Sequence, residues 1–82
     1  MDTLMWEAKA ADGRGAELLR WVLDEGVRGL DPTLRTEVFI AGDRVVVITV
    51  GDRPPRHLLD PPGELVDRPP HAWPFTRVNL AP

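Results

Sequence analysis

The sequence predicts an α+β domain in which a four-stranded antiparallel sheet carries one main helix and a much reduced second one. Three observations lead there. Thr36 to Val50 is a strongly β-prone hairpin with Gly42 and Asp43 at its tip, and Arg14 to Val27 has the spacing of an amphipathic helix. Eight of the nine prolines fall from Pro54 onward, where they forbid any long regular element.

At 82 residues the chain makes a single domain spanning 1–82. A core of that size leaves only a few kcal/mol of net stability, so oligomerisation is a common remedy. The apolar share of 43% and charged share of 28% are those of a globular protein. Cysteine is absent, which removes disulfides, thiolate metal sites and cysteine nucleophiles together and suits a reducing interior. No signal segment opens the chain, and no window approaches the roughly 20 apolar residues of a membrane span. A cytoplasmic protein is expected. The net charge is −3, and Lys9 is the only lysine. With the arginines scattered among acids there is no basic stripe for a phosphate backbone, so nucleic acid and membrane are not expected as partners.

Thr3 to Ala10 reads as the first strand, with Leu4, Trp6 and Ala8 on one side and Met5, Glu7 and Lys9 on the other. Asp12, Gly13 and Gly15 break that pattern, and Asp12 is positioned to cap the helix that follows. Ala16, Leu19, Val22, Leu23, Gly26 and Val27 share one side of this helix, while Glu17, Asp24 and Glu25 share the other. Trp21 lands on the polar side, where a large indole calls for a covering segment or chain.

Glycine as the first loop residue suits a type II′ hairpin turn, which sets Ala41 opposite Arg44, Ile40 opposite Val45, Phe39 opposite Val46, Val38 opposite Val47 and Glu37 opposite Ile48. Both faces of the hairpin are then largely apolar. A sheet wetted on one side alternates apolar with polar, so both faces call for cover, yet the chain offers one convincing helix. Residues 51-74 form a proline-rich connection with room for one helical turn at Pro61 to Val66, and Pro69 to Pro74 is expected to be extended. Phe75 to Leu80 alternates again and reads as the last strand. It places Val78 and Leu80 with the helix-covered face and Phe75, Arg77 and Asn79 with the open one.

Strand, helix, two strands, a stub and a final strand make a ferredoxin-like βαββ(α)β unit with a reduced second helix. In the order of these elements, in the early strand TLMWEAKA, the helix GRGAELLRWVLDEGV and the closing RPPHAWPFTRV, the chain resembles the dimeric α/β-barrel superfamily that includes the antibiotic-biosynthesis monooxygenases. It is also similar to small uncharacterised actinobacterial proteins that end in a Pro-Pro-His-x-Trp-Pro-Phe run. The resemblance implies a homodimer paired through sheet faces and a pocket for a small organic molecule. No family catalytic motif aligns residue by residue.

Glu7, Glu37 and Arg77 share the expected open face, with Glu7 and Arg77 on neighbouring strands. A carboxylate enclosed in a dimer cavity could act as a general base; alternatively, Glu7 and Arg77 form an ion pair that makes burial of the face tolerable. His71 sits in Pro-Pro-His-Ala-Trp-Pro-Phe, where prolines restrict it and imidazole can donate or accept a proton. Its plainer role is to fill a polar edge while Trp73 and Phe75 anchor the segment, with Trp21 and Trp6 as the receiving surface. His71, Glu7 and Arg77 are thus the catalytic candidates, and Trp6, Glu37, Phe39, Trp73 and Phe75 the ligand-binding ones. The spacing of His57, Asp60 and His71 matches no metal motif, and neither metal nor cofactor is expected. The proline-rich stretches could serve as ligands for aromatic-lined domains, but their apolar residues are needed by the domain itself.

The function expected is that of a small-molecule-binding homodimer, whose catalytic form would be a cofactor-free monooxygenase-like or isomerase-like enzyme. The competing expectations are an accessory protein that docks on a larger partner through its open sheet face or through Trp21 and the 69-75 segment, and a dimer with no ligand.

Overall fold

The computed structural model describes residues 1–80. Strand β1 (Asp2–Lys9) is followed by helix α1 (Gly15–Trp21), which runs into a π-helical turn over Val22–Gly26. Strands β2 (Arg35–Ala41) and β3 (Arg44–Gly51) form the hairpin, a 3₁₀ turn spans Gly63–Leu65, and β4 (His71–Thr76) closes the sheet. The strand order is β2-β3-β1-β4 and every neighbouring pair is antiparallel. An α+β architecture with one main helix is therefore established, in an order compatible with a ferredoxin-like arrangement.

The hairpin pairs as its sequence predicts, from Ala41 opposite Arg44 to Glu37 opposite Ile48. Gly42 has φ +61° and, among the described residues, no non-glycine residue has positive φ, the combination a type II′ turn requires. Leu4, Trp6, Ala8, Val45 and Val47 point to one side of the sheet and are buried there with Leu18 and Val22 of the helix. Thr49 lies in the same layer, fully buried, and exchanges a 2.9 Å hydrogen bond with the Thr36 hydroxyl on β2.

The helical stretch Gly15–Gly26 matches the expected Arg14 to Val27 to within a residue at each end, but differs in its cap and in its facing. Arg14, not Asp12, occupies the N-cap position. It makes no side-chain cap bond, and its guanidinium instead reaches Glu17 at 2.8 Å. Leu18, Val22 and Gly26 are buried, while Ala16 and Leu23 are exposed. Leu18 and Val22 are four apart and share one side of the α-helical part, and a π turn follows, in which the Val27 N–H bonds the Val22 carbonyl five residues back at 3.0 Å. The wider turn keeps Gly26 on the same side. Trp21 folds back onto Gly26 and packs against the core, so this indole finds its cover within its own chain.

The connection after β3 is a packed return path. Leu58 and Leu65 enter the same core as Leu18 and Trp6, and the 3₁₀ turn touches α1. Both covering segments thus lie on one side of the sheet. Leu65 accepts the Ala11 N–H at 2.8 Å, and the Asp67 N–H bonds the Lys9 carbonyl at 2.9 Å. Val66 opposes Ala10, but farther along His71 opposes Glu7, so two extra residues bulge from the outer strand between these points.

The last strand lies four residues earlier than the alternation of Phe75 to Leu80 suggests. Pro74 is accommodated because β4 is an edge strand, where a missing N–H need not break a ladder bond. Beyond it, Val78 and Leu80 are exposed and do not join the helix-covered face.

Candidate functional site

The uncovered side of the sheet presents its substituents in rows set by strand register. One row runs Phe39, Val46, Glu7, His71 from β2 to β4, the next Glu37, Ile48, Met5, Trp73, and the next Arg35, Val50, Thr3, Phe75. The centre, formed by Val46, Ile48 and Met5, carries no charge. Phe39, Trp73 and Phe75 are 47%, 39% and 53% exposed around it.

Polar groups gather at the end of the face nearest the hairpin tip. Glu7, with a side chain only 16% exposed, lies 3.7 Å from Arg44 and 4.0 Å from Arg68. Both distances exceed the roughly 2.7–2.9 Å of a charge-assisted hydrogen bond, so the arginines sit around the carboxylate without spending their donors on it. Arg68 also approaches Asp67 at 4.0 Å, and Lys9 reaches Asp67 at 3.7 Å. His71 opposes Glu7 on the neighbouring strand, and its ring stacks on Trp73 with centroids 5.4 Å apart and planes 10° from parallel. Residues two apart on a strand share a side, which is why these rings can meet.

Glu7, His71, Trp73, Phe75, Glu37 and Phe39 therefore share one surface. Arg77 does not join Glu7. It lies past the end of β4, where its N–H bonds the Met1 carbonyl at 3.0 Å and its guanidinium approaches the Met1 sulfur at 3.7 Å. The expected Glu7 to Arg77 pair is replaced by Glu7 with Arg44 and Arg68. Trp6 is 2% exposed in the core on the other side of the sheet and cannot contribute to this surface or receive Trp73.

Sequence reasoning missed Arg44 and Arg68 as companions of Glu7. Arg44 was accessible, since the hairpin register puts it on the same side of β3 as Val46 and Ile48. Arg68 was not, because its position depends on the bulge before β4. Beside Phe75, a cleft of about 460 Å³ runs past the sheet end, lined in part by Asp2, Thr3, Asp52, Arg53 and Arg56. Among the described residues, no three His, Asp or Glu side chains converge as metal ligands, and no helix is long and apolar enough to cross a membrane. Comparison with protein-family models, curated proteins and solved structures gives no significant match.

Proposed function

We propose that this ferredoxin-like domain binds a small, flat and largely apolar organic molecule on the open face of its sheet. The observation that carries this reading is the meeting of Glu7 and His71 on adjacent strands, beside the stacked Trp73 and at the margin of an uncharged apolar floor. Binding sites for small molecules are mostly apolar with a few placed polar groups, and this surface has that composition. An aromatic ring would lie on Met5, Ile48 and Trp73. An anionic substituent would reach the guanidinium donors of Arg44 and Arg68, whose contacts to Glu7 are too long to consume them. In a catalytic version of the role, the Glu7 carboxylate would accept a proton from bound substrate and the imidazole of His71 would pass it on.

The test is a fragment screen by NMR, following the His71 ring and the Trp73 indole resonances. Aromatic carboxylates should shift both, and Glu7→Gln should alter the response of His71 while leaving Trp73 responsive. If aromatic fragments move resonances elsewhere and leave these two unchanged, the face is not a ligand site.

A second reading is favoured by the exposure of Phe39 and Phe75 at the flanks of the same face. There the surface docks on a larger protein partner, and the aromatics act as its anchors.

A further inference from the structure

We propose that the cleft at the end of the sheet is a second binding site, built for a free aromatic amino acid in its zwitterionic form. It lies apart from the surface assigned above and does not depend on that reading. By the strand register, Asp2, Pro74 and Thr76 fall on the side of the sheet that carries Leu4, opposite to Glu7, His71 and Trp73.

One wall of the cleft is fixed at both ends. The segment from Asp52 to Arg56 leaves β3 at Gly51, where the Leu34 side chain packs so closely that a Cβ would find no room. Two residues past Arg56, Leu58 is 4% exposed and belongs to the core. Between these anchors the rings of Pro54 and Pro55 set their own φ, and Arg53, which precedes a proline, is confined to extended backbone. A wall with so little freedom loses little when a ligand seats against it. The volume of about 460 Å³ lies within the range of small-molecule sites, roughly 300–1,000 Å³.

The charges of the cleft indicate what it would hold. Asp2 and Asp52 line it together with Arg53 and Arg56, two of each sign. Among the described residues, none of these four stands within 4.0 Å of an opposite charge. Opposite charges that share a cleft and leave each other free fit a ligand that carries both, with a carboxylate for the guanidinium donors and an ammonium for the carboxylates. A ligand of one sign would be drawn to one pair and repelled by the other. Pro54, Pro55 and Pro74 supply the apolar part of the lining, and an aromatic side chain has the flat apolar area to lie on their rings. An aromatic α-amino acid combines all three features.

Titration of the isotope-labelled full chain with L-phenylalanine, followed by amide NMR, tests this. The amide resonances of Asp52, Arg53, Arg56 and Thr76 should shift and saturate. Phenylpropionate, which lacks the ammonium, and phenylethylamine, which lacks the carboxylate, should each bind the cleft roughly tenfold more weakly or worse. Arg56→Gln and Asp52→Asn, both at exposed positions of the wall, should each raise the dissociation constant for phenylalanine by roughly tenfold. Cleft amides that stay unmoved overturn the proposal. So does phenylpropionate or phenylethylamine binding there as tightly as phenylalanine, which would leave a site for one charge only, and so does full affinity in both variants. These resonances are distinct from those of His71 and Trp73, so loss of this site and loss of the open-face site are told apart.

Discussion

Glu7 on β1 and His71 on β4 are cross-strand partners, and the carboxylate of Glu7 stands 3.7 Å from Arg44 and 4.0 Å from Arg68. The arginines are about half exposed, so solvent screens their attraction to Glu7, and exposed pairs contribute roughly 0–1 kcal/mol. Glu7→Gln should therefore change thermal stability by less than about 1 kcal/mol while moving the His71 ring resonances. A large loss of stability in denaturant titration would show that Glu7 holds the fold rather than serving the surface.

Thr49 poses a stricter constraint. Its hydroxyl is buried and satisfied by Thr36 across the hairpin. Thr36→Val removes the partner and should cost about 1–3 kcal/mol. The double variant Thr36→Val, Thr49→Val should recover most of that loss, because no buried hydroxyl then remains unpaired. A double-mutant cycle in urea measures the coupling, and strictly additive losses would contradict the role assigned to this bond.

Gly26 lies under the ring of Trp21, where an added Cβ would stand 3.1 Å from the indole. Alanine at an unconstrained helical position gains about 1 kcal/mol over glycine. At Gly26 that gain should be cancelled as the ring is lifted, and Trp21 emission should move to longer wavelength. A simple stabilisation with unchanged fluorescence would mean that the indole yields without loss.

Asp31 accepts hydrogen bonds from the Thr33 backbone N–H and hydroxyl, both at 2.8 Å, and the backbone bond first, then the hydroxyl, lower its pKa. A carboxyl with a lowered folded-state pKa contributes stability above its ordinary titration range and loses it as pH falls through the folded value. The wild type should therefore melt above Asp31→Ala at pH 7, with the gap closing once the pH drops below the ordinary carboxylate range. A gap that persists in strong acid would assign the effect to something other than the ionised carboxylate.

Gly42 adopts φ +61° at the hairpin tip. Alanine there should cost about 1–2 kcal/mol, the left-handed penalty of an L-residue. Equilibrium unfolding measures this, and an unaltered stability would show that the tip relaxes to another turn.

How much of this was legible follows from how local each determinant is. The hairpin register was readable to the residue, because Gly42-Asp43 sets the turn and the turn sets every pair behind it. The inward side of β1 was equally clear from the alternation of Leu4, Trp6 and Ala8. The buried line of α1 is not, because Leu18, Leu19, Val22 and Leu23 offer two apolar lines one residue apart, and only packing against the sheet buries Leu18 with Val22 and leaves Leu23 exposed. The position of β4 was hidden by its prolines. Pro74 argues against a strand unless the strand is known to be an edge, and that is a property of the assembled sheet. The same displacement decided the site: it carried His71 and Trp73 into the ladder beside Glu7 and Met5, and left Arg77 outside.

The two margins of the sheet are not equivalent. The outer side of β4 is interrupted by Pro74 and by the bulge before His71, whereas β2 runs seven residues without proline. A strand arriving from another molecule can align fully along β2 but meets an incomplete row of donors along β4. Head-to-tail stacking of one molecule's β2 on the next one's β4 is thereby discouraged, and with it the indefinite ribbon that would grow by repeating that step. Of the sheet's two edges, the one carrying Pro74 is thus the poorer template for an incoming strand, a consequence of a single residue that supplies no N–H.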